Sequence, residues 1–261
     1  MLGFEKKDLP VIWNFLRANV RDKYLGTSLG SIWGIAQPLF MLATFTFVFG
    51  FVYKTKLPGA DTTLAYATWL IAGYGPWIAI SESTMAAANS VVSSTGIVKN
   101  LAIKIELLPI VGVLSGTLSL IVSLIFLMIL LMADGNWLTW HALFVPLIVL
   151  VQIAFIMAIG FLVAALTVFF RDLIVALPNL LMMVLFASPI FYRIDSMPAI
   201  MRIVSQFNPF YIITEAYRDV LIYHRLPNFL GLALVIFLAA AMGFVTLTIF
   251  RRVKGYFEAA L

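Results

Sequence analysis

The stretch SPIFYRIDSMPAIMRIVSQFNPFYIITEAYRDVLIYHRLPN, from Ser188 to Asn228, decides how the rest of the chain is read. It is too apolar for a solvated loop: Ile200, Met201, Ile203, Val204 and Phe207 fall in one run, and Phe210, Ile213, Tyr217, Val220 and Leu221 in the next. It is also too polar to cross a bilayer. Arg193, Asp195, Arg202, Glu215, Arg218, Asp219 and Arg225 leave no window of about 20 residues free of charge. The pattern predicts two short amphipathic helices within 193–225, lying at or dipping into one membrane face. Asn208-Pro209 opens the second, since Asn is a favoured N-cap and Pro suits the first helical position, where a missing N–H costs nothing. Glu215 and Arg218 share a face at i, i+3, with Asp219 beside them. That reading places an ion-paired face at the membrane surface and an aromatic face towards lipid or protein. The competing reading is an ordinary surface loop with incidental charges.

Outward from this stretch the chain is membrane material. It is 63% hydrophobic and 11% charged, against roughly 45–50% and 25% in soluble domains, and its mean hydropathy is +1.05. Its 261 residues hold one all-α membrane domain of six spans with short connections, so a large energy-transducing module must be another chain. The absence of cysteine excludes disulfides, thiol catalysis and cysteine-ligated metals. His141 and His224 are the only histidines and lie far apart in sequence, so no metal site is expected. The net charge of +5 does not signal nucleic-acid binding, because the basic residues sit at the ends of apolar runs and set topology. The first 25 residues lack a continuous apolar core, so a secretory signal is not expected.

Residues 4–25 pattern as an interfacial helix, with Leu9, Ile12, Trp13, Leu16 and Val20 opposite a basic face. Spans follow at about 32–53, 64–81, 107–132, 143–170, 173–191 and 229–250. Gln37-Pro38 predicts a kink in the first, and Gly73-Tyr74-Gly75-Pro76-Trp77 a bent or locally unwound helix in the second. Pro178-Asn179 interrupts the fifth. Between the second and third spans, the small polar run from Ser81 to Ser94 followed by Lys99, Lys104 and Glu106 reads as an internal loop that docks on another protein. Of the 17 Lys and Arg residues, eleven fall on the side of the two termini, which makes that side cytoplasmic and places 193–225 on the outer face.

No catalytic constellation is present, and no Gly-x-x-x-x-Gly-Lys-Ser/Thr loop binds ATP in this chain. Glu82, Glu106, Asp134, Arg171 and Asp172 map near span ends, and the lack of midplane charge disfavours an ion-coupled carrier. The interior instead offers aromatic and amide groups: Gln37, Phe40, Tyr74, Trp77, Gln152, Asn179 and Tyr192. Aromatic faces pack on the C–H faces of sugars, and amides and phenols exchange hydrogen bonds with hydroxyls, so this lining suits a large neutral or mixed-polarity substrate better than a small ion. Two readings of Trp77 stand, a channel wall and an interfacial anchor. Two also stand for Gln37, a substrate contact and a buried amide bonded to the next helix.

In order and spacing, a series of short motifs resembles the membrane subunit of polysaccharide ABC exporters, the type-2 permeases that move O-antigen, capsular or teichoic-acid chains. The motifs are Arg21-Asp22-Lys23-Tyr24, Leu29-Gly30 with Trp33, Gln37-Pro38, Gly75-Pro76-Trp77, Ile105-Glu106 with Pro109, Phe169-Phe170-Arg171-Asp172, Ser188-Pro189-Ile190-Phe191-Tyr192 and Asn208-Pro209. The resemblance implies a homodimer with two nucleotide-binding ATPase subunits, ATP and Mg held on those subunits, and no cofactor in this chain. It implies a channel between the membrane subunits for a lipid-linked polysaccharide, in the cytoplasmic membrane, with both termini cytoplasmic. On this reading Trp33, Gln37, Phe40, Tyr74, Trp77 and Tyr192 line the channel. Arg21, Lys23, Lys99, Lys104 and Glu106 couple to the ATPase, and Asn208, Glu215, Arg218 and Asp219 form an outer gate. Arg171 and Asp172 are a structural motif that satisfies the positive-inside tendency and caps the next helix. A type-2 permease for a drug, lipid or small metabolite would share the same outline. A membrane-embedded transferase would need converging carboxylates or histidines, and His141 and His224 are too isolated for that.

Overall fold

The computed structural model describes residues 6, 8–22, 27–52, 63–100, 104–135 and 137–260, and among these every regular element is helical. Helix α1 (Asp8–Asp22) is followed by α2 (Trp33–Phe45), which continues into π-helical turns over Thr46–Val52. Then come α3 (Thr63–Ser90), α4 (Thr95–Asn100), α5 (Leu107–Ala133), α6 (Val145–Phe169) and α7 (Asp172–Ala187). The Ser188–Asn228 segment contains α8 (Ala199–Gln206) and α9 (Pro209–Leu221), after which come α10 (Phe229–Val253) and α11 (Phe257–Ala260). Among the described residues, three helices are long and apolar enough to cross a membrane: Leu107–Ala133, Trp140–Phe169 and Phe229–Tyr256. Shorter apolar helices run over Trp33–Val48 and Asp172–Ala187.

The central element is α3, in which every residue from Tyr66 to Ile80 is buried. It packs along α5 and is flanked by α6, α7 and α9. The close approach of α3 and α5 rests on glycine. A Cβ on Gly112 would come within 2.8 Å of the Ala86 carbonyl oxygen and the Ala87 backbone, and one on Gly116 would overlap Ser83. Gly112 and Gly116 are thus the small-xxx-small pair that lets two apolar helices touch backbone to backbone.

Several sequence expectations change here. The polar run after Ser81 is not a loop: α3 continues to Ser90, and Ser83, Thr84 and Ser90 are buried. Their hydroxyls bond carbonyls close by, Thr84 to Ile80 at 2.7 Å, Ser90 to Ala87 at 2.7 Å and Ser83 across to Val113 of α5 at 2.8 Å. Small hydroxyls that satisfy themselves in this way pack inside helix bundles at little cost. Nor does α3 unwind at Gly75-Pro76, which lies inside a continuous helix. The Pro76 carbonyl accepts from Gln152 Nε2 of α6 at 3.2 Å, and neighbouring helices are what make an interior proline tolerable. Helix α7 likewise runs through Pro178 and stops at Ala187, short of the expected 173–191, because Ser188–Phe191 turns inward.

Glu82 is not near the end of a span in its surroundings. Its Oε2 accepts from Ser119 Oγ, 2.8 Å away at the middle of α5, the helix spanning Leu107–Ala133. On the outside, α10 shows Leu230, Phe237 and Phe244, and α7 shows Val175 and Met183. Such faces need lipid or another subunit against them.

Candidate functional site: a buried arginine beneath an aromatic and acidic cavity

Asn208 begins α9 as its sequence predicts, with its Oδ1 accepting from the Phe210 amide at 2.9 Å and the Tyr211 amide at 3.4 Å. Its Nδ2 is also used, donating to Ser188 Oγ at 2.8 Å. At the other end of α9, Arg218 is fully buried. Its guanidinium donates to the Ile190 carbonyl at 2.5 Å, to the Trp69 carbonyl at 3.2 Å, to Glu215 Oε2 at 3.2 Å and to the Pro189 carbonyl at 3.5 Å. The same group lies 3.7 Å above the Trp69 ring. Tyr66 of α3 completes the set by donating to the Phe191 carbonyl at 3.2 Å. Each of the four residues of the turn Ser188–Phe191 therefore has a polar atom held by a distant donor, three of them by Asn208 or Arg218 and the fourth by Tyr66. A buried turn requires this, since an unpaired carbonyl in an apolar interior costs about 1–3 kcal/mol.

This arrangement corrects the expected ion-paired surface. Arg218 is an internal fastener joining α3, α9 and the turn after α7. It does not bridge two carboxylates, because Asp219 pairs with Arg225 at 2.6 Å while Glu215 alone reaches Arg218. Glu215 also lies 3.9 Å from Arg225. Burial raises the Asp219 pKa and the nearby Glu215 charge adds to it, more than the Arg225 hydrogen bond and charge lower it. Trp69, Tyr223 and Arg225 belong to this site although their sequence context gave no sign of it. Trp69 Nε1 donates to the Tyr223 hydroxyl at 2.9 Å, and the Arg225 guanidinium lies 4.9 Å over the Tyr223 ring. Together with Pro189, Tyr192, Arg193, Ile194, Asp195, Tyr211, Glu215 and Arg218 they line a cavity of about 330 Å³. Behind α9, Tyr217 donates to Gln152 Oε1 at 2.9 Å, so the buried Gln152 joins α9, α6 and α3.

The expected channel residues divide. Gln37 and Phe40 are exposed on α2, and Trp33 is half-buried beside Phe40, their ring centroids 6.4 Å apart. Gln37 therefore does not carry the buried amide expected of it. It faces a second cavity of about 360 Å³ with Asn19, Glu82, Asn89 and Ser115. Tyr74 and Trp77 are buried in the core of the chain. Tyr74 packs on Phe45 and Phe191, and Trp77 meets Phe210 edge to face at 5.5 Å. Tyr192 donates to the Phe186 carbonyl at 2.8 Å and lines the cavity beside Arg218.

At the opposite end of the bundle, Lys104 pairs with Asp8 of α1 at 2.7 Å. Glu106 pairs with Lys254 at 2.8 Å and Arg251 at 3.4 Å. These two expected coupling residues thus fasten the chain's own first and last helices to the start of α5. Arg21 is exposed on α1. Lys23 lies outside the described residues, as does the side chain of Lys99 on α4. Arg171 and Asp172 are exposed at the start of α7 without a side-chain capping bond, so Asp172 acts there only as a negative charge in the first turn. The two histidines, remote in sequence, meet at one hydroxyl: Thr139 Oγ1 lies 3.0 Å from His141 Nδ1 and 3.3 Å from His224 Nδ1. Among the described residues no group of three potential ligands gathers to hold a metal.

Comparison with known proteins places this geometry in a family. The chain is 26% identical over 217 residues to the O-antigen export system permease protein RfbA of Myxococcus xanthus, covering 82% of this chain and 81% of that one. It is 25% identical over 265 residues to a protein of the same name from Klebsiella pneumoniae, covering 100% of this chain and 97% of the relative. The family model described as ABC-2 type transporter matches residues 11–222, a stretch running from α1 through the fastened helix α9, and the chain belongs to that family.

Proposed function

We propose that this chain is the transmembrane subunit of an ATP-driven exporter that moves a lipid-linked, O-antigen-like polysaccharide outward across the cytoplasmic membrane. The observation that carries this reading is similarity over the whole chain to permeases named for O-antigen export. Six crossings are assigned to α2 with its π-helical extension, α3, α5, α6, α7 and α10, which leaves both termini on the cytoplasmic side. The subunit works as a homodimer with two ATPase subunits that carry the ATP and Mg. The exposed face of α2, with Gln37 and Phe40, borders the channel at the dimer interface. Tyr74 and Trp77, being core residues, support that wall from behind.

In this scheme the fastened turn Ser188–Phe191 and helix α9 form the outer closure. Arg21, Lys23 and Lys99 meet the ATPase, while Lys104 and Glu106 hold α1 and the C-terminal helices in the position that contact requires. Deleting the gene should abolish the surface glycan and accumulate its lipid-linked form inside the cell, and plasmid-borne wild-type protein should restore export. The purified chain should hydrolyse no ATP by itself. Unchanged surface glycan after deletion, or turnover by the chain without a partner, would overturn the reading.

A further inference from the structure

The outer cavity has the chemistry of a carbohydrate subsite, and its charges say what kind. Three guanidinium groups meet three carboxylates in and beside it: Arg193 with Asp195 at 2.8 Å, Arg218 with Glu215 at 3.2 Å and Arg225 with Asp219 at 2.6 Å. Every strong charge has its counter-charge within the protein. The paired charges therefore balance, so the cavity carries no surplus charge to attract a free phosphate or a cation, and a neutral polyol needs none.

Hydrogen-bonding capacity remains for such a ligand. Tyr211 Oη has no partner among the described residues, and the Tyr223 hydroxyl, which accepts from Trp69 Nε1, keeps its own proton to donate. Glu215 Oε1 has only the 3.9 Å approach of Arg225, and the Arg225 side chain is 61% exposed with donors to spare. Burial and the neighbouring Glu215 push the Tyr211 and Tyr223 phenols up, so both keep their protons at physiological pH. Tyr192 and Tyr211 also line the cavity, and aromatic rings pack on the C–H face of a pyranose; the Tyr223 ring is covered on one side by Arg225.

We infer that this cavity holds one neutral sugar residue of the exported glycan, an inference that rests on the function proposed above. Its volume of about 330 Å³ is at the small end of ligand pockets, about 300–1,000 Å³. It therefore receives a terminal or branching residue, and the polymer passes elsewhere. Holding one residue at the outer mouth opposes backward slippage of an emerging chain between strokes.

The test uses the full chain with its ATPase subunits in nanodiscs and saturation-transfer NMR with methyl glycosides of glucose, galactose, mannose, rhamnose and N-acetylglucosamine. At least one glycoside should receive saturation at its ring C–H protons. Tyr211→Phe, which keeps the ring and the fold, should weaken binding about fivefold, as loss of one hydrogen bond does. Arg225→Gln should weaken it as well, and inorganic phosphate should not compete. Absence of transfer to every glycoside, indifference to both variants, or displacement by phosphate would each overturn the inference. Export in a deletion strain complemented with wild type separates the two readings: restored surface glycan without glycoside binding leaves the proposed function standing and removes only the subsite.

Discussion

The guanidinium of Arg218 occupies the space that a side chain on Gly73 would need, so one residue of α9 and one of α3 are each shaped by the other. A Cβ built on Gly73 would overlap Arg218 Nη2 and lie 2.7 Å from its Cζ. Alanine is the better helix former by about 1 kcal/mol, yet here Gly73→Ala should destabilise the protein. Arg218→Ala should cost more, about 3–5 kcal/mol, because it leaves a carboxylate and buried carbonyls without their donor. In the double variant the added methyl enters the vacated space, so Gly73→Ala should cost nothing there. Thermal unfolding in detergent checks the cycle. A Gly73→Ala protein as stable as wild type would show that the contact has slack.

The Tyr217–Gln152 hydrogen bond makes a second, independent expectation. Tyr217→Phe removes the donor and strands a buried amide oxygen, which should cost about 1–3 kcal/mol. Adding Gln152→Leu removes the stranded group, so the double variant should lose less than the sum of the singles. Strict additivity in the same melting assay would mean that the amide finds another partner.

Helix α3 and helix α5 meet at Gly116. Replacing it with Ala drives a methyl into Ser83 and should lower the melting temperature and the yield of folded protein. Gly96, with nothing within 4 Å of its Cβ position, is the control: Gly96→Ala should be neutral or slightly stabilising. Equal behaviour of the two variants would contradict backbone contact at Gly116.

Acid should release the C-terminal helices. Burial opposes ionisation of Glu106, but hydrogen bonds from Lys254 and from its own backbone, with the charges of Lys254 and Arg251, hold its carboxyl below the ordinary 4.5. A lowered carboxyl pKa means that the unfolded chain binds the proton more readily. The stabilisation is therefore complete above about 4.5 and is lost as pH falls through the lower folded value. A spin label on Ala260→Cys, possible in a cysteine-free chain, should be immobile at neutral pH and mobile below that value. Glu106→Gln should make it mobile at both, and a pH-independent immobile label would count against the clamp.

What the sequence determined by itself is what short-range chemistry and composition dictate. The apolar runs set the helices and their membrane setting. Asn208-Pro209 set the start of α9, because a cap involves only the amides that follow it. The ordered motifs pointed to the family. What tertiary structure decided is where the polar groups go. Arg218 lies among surface-like charges in sequence, and only the carbonyls of Trp69, Pro189 and Ile190, distant along the chain, make it an internal fastener. The serines after Ser81 look like a loop until Gly112 and Gly116 bring α5 against them. Tyr74 and Trp77 look like channel walls until α9 and the turn after α7 cover them. In each case a polar or aromatic side chain reads as surface or pore from its neighbours in sequence, while its burial is set by partners that no local pattern names.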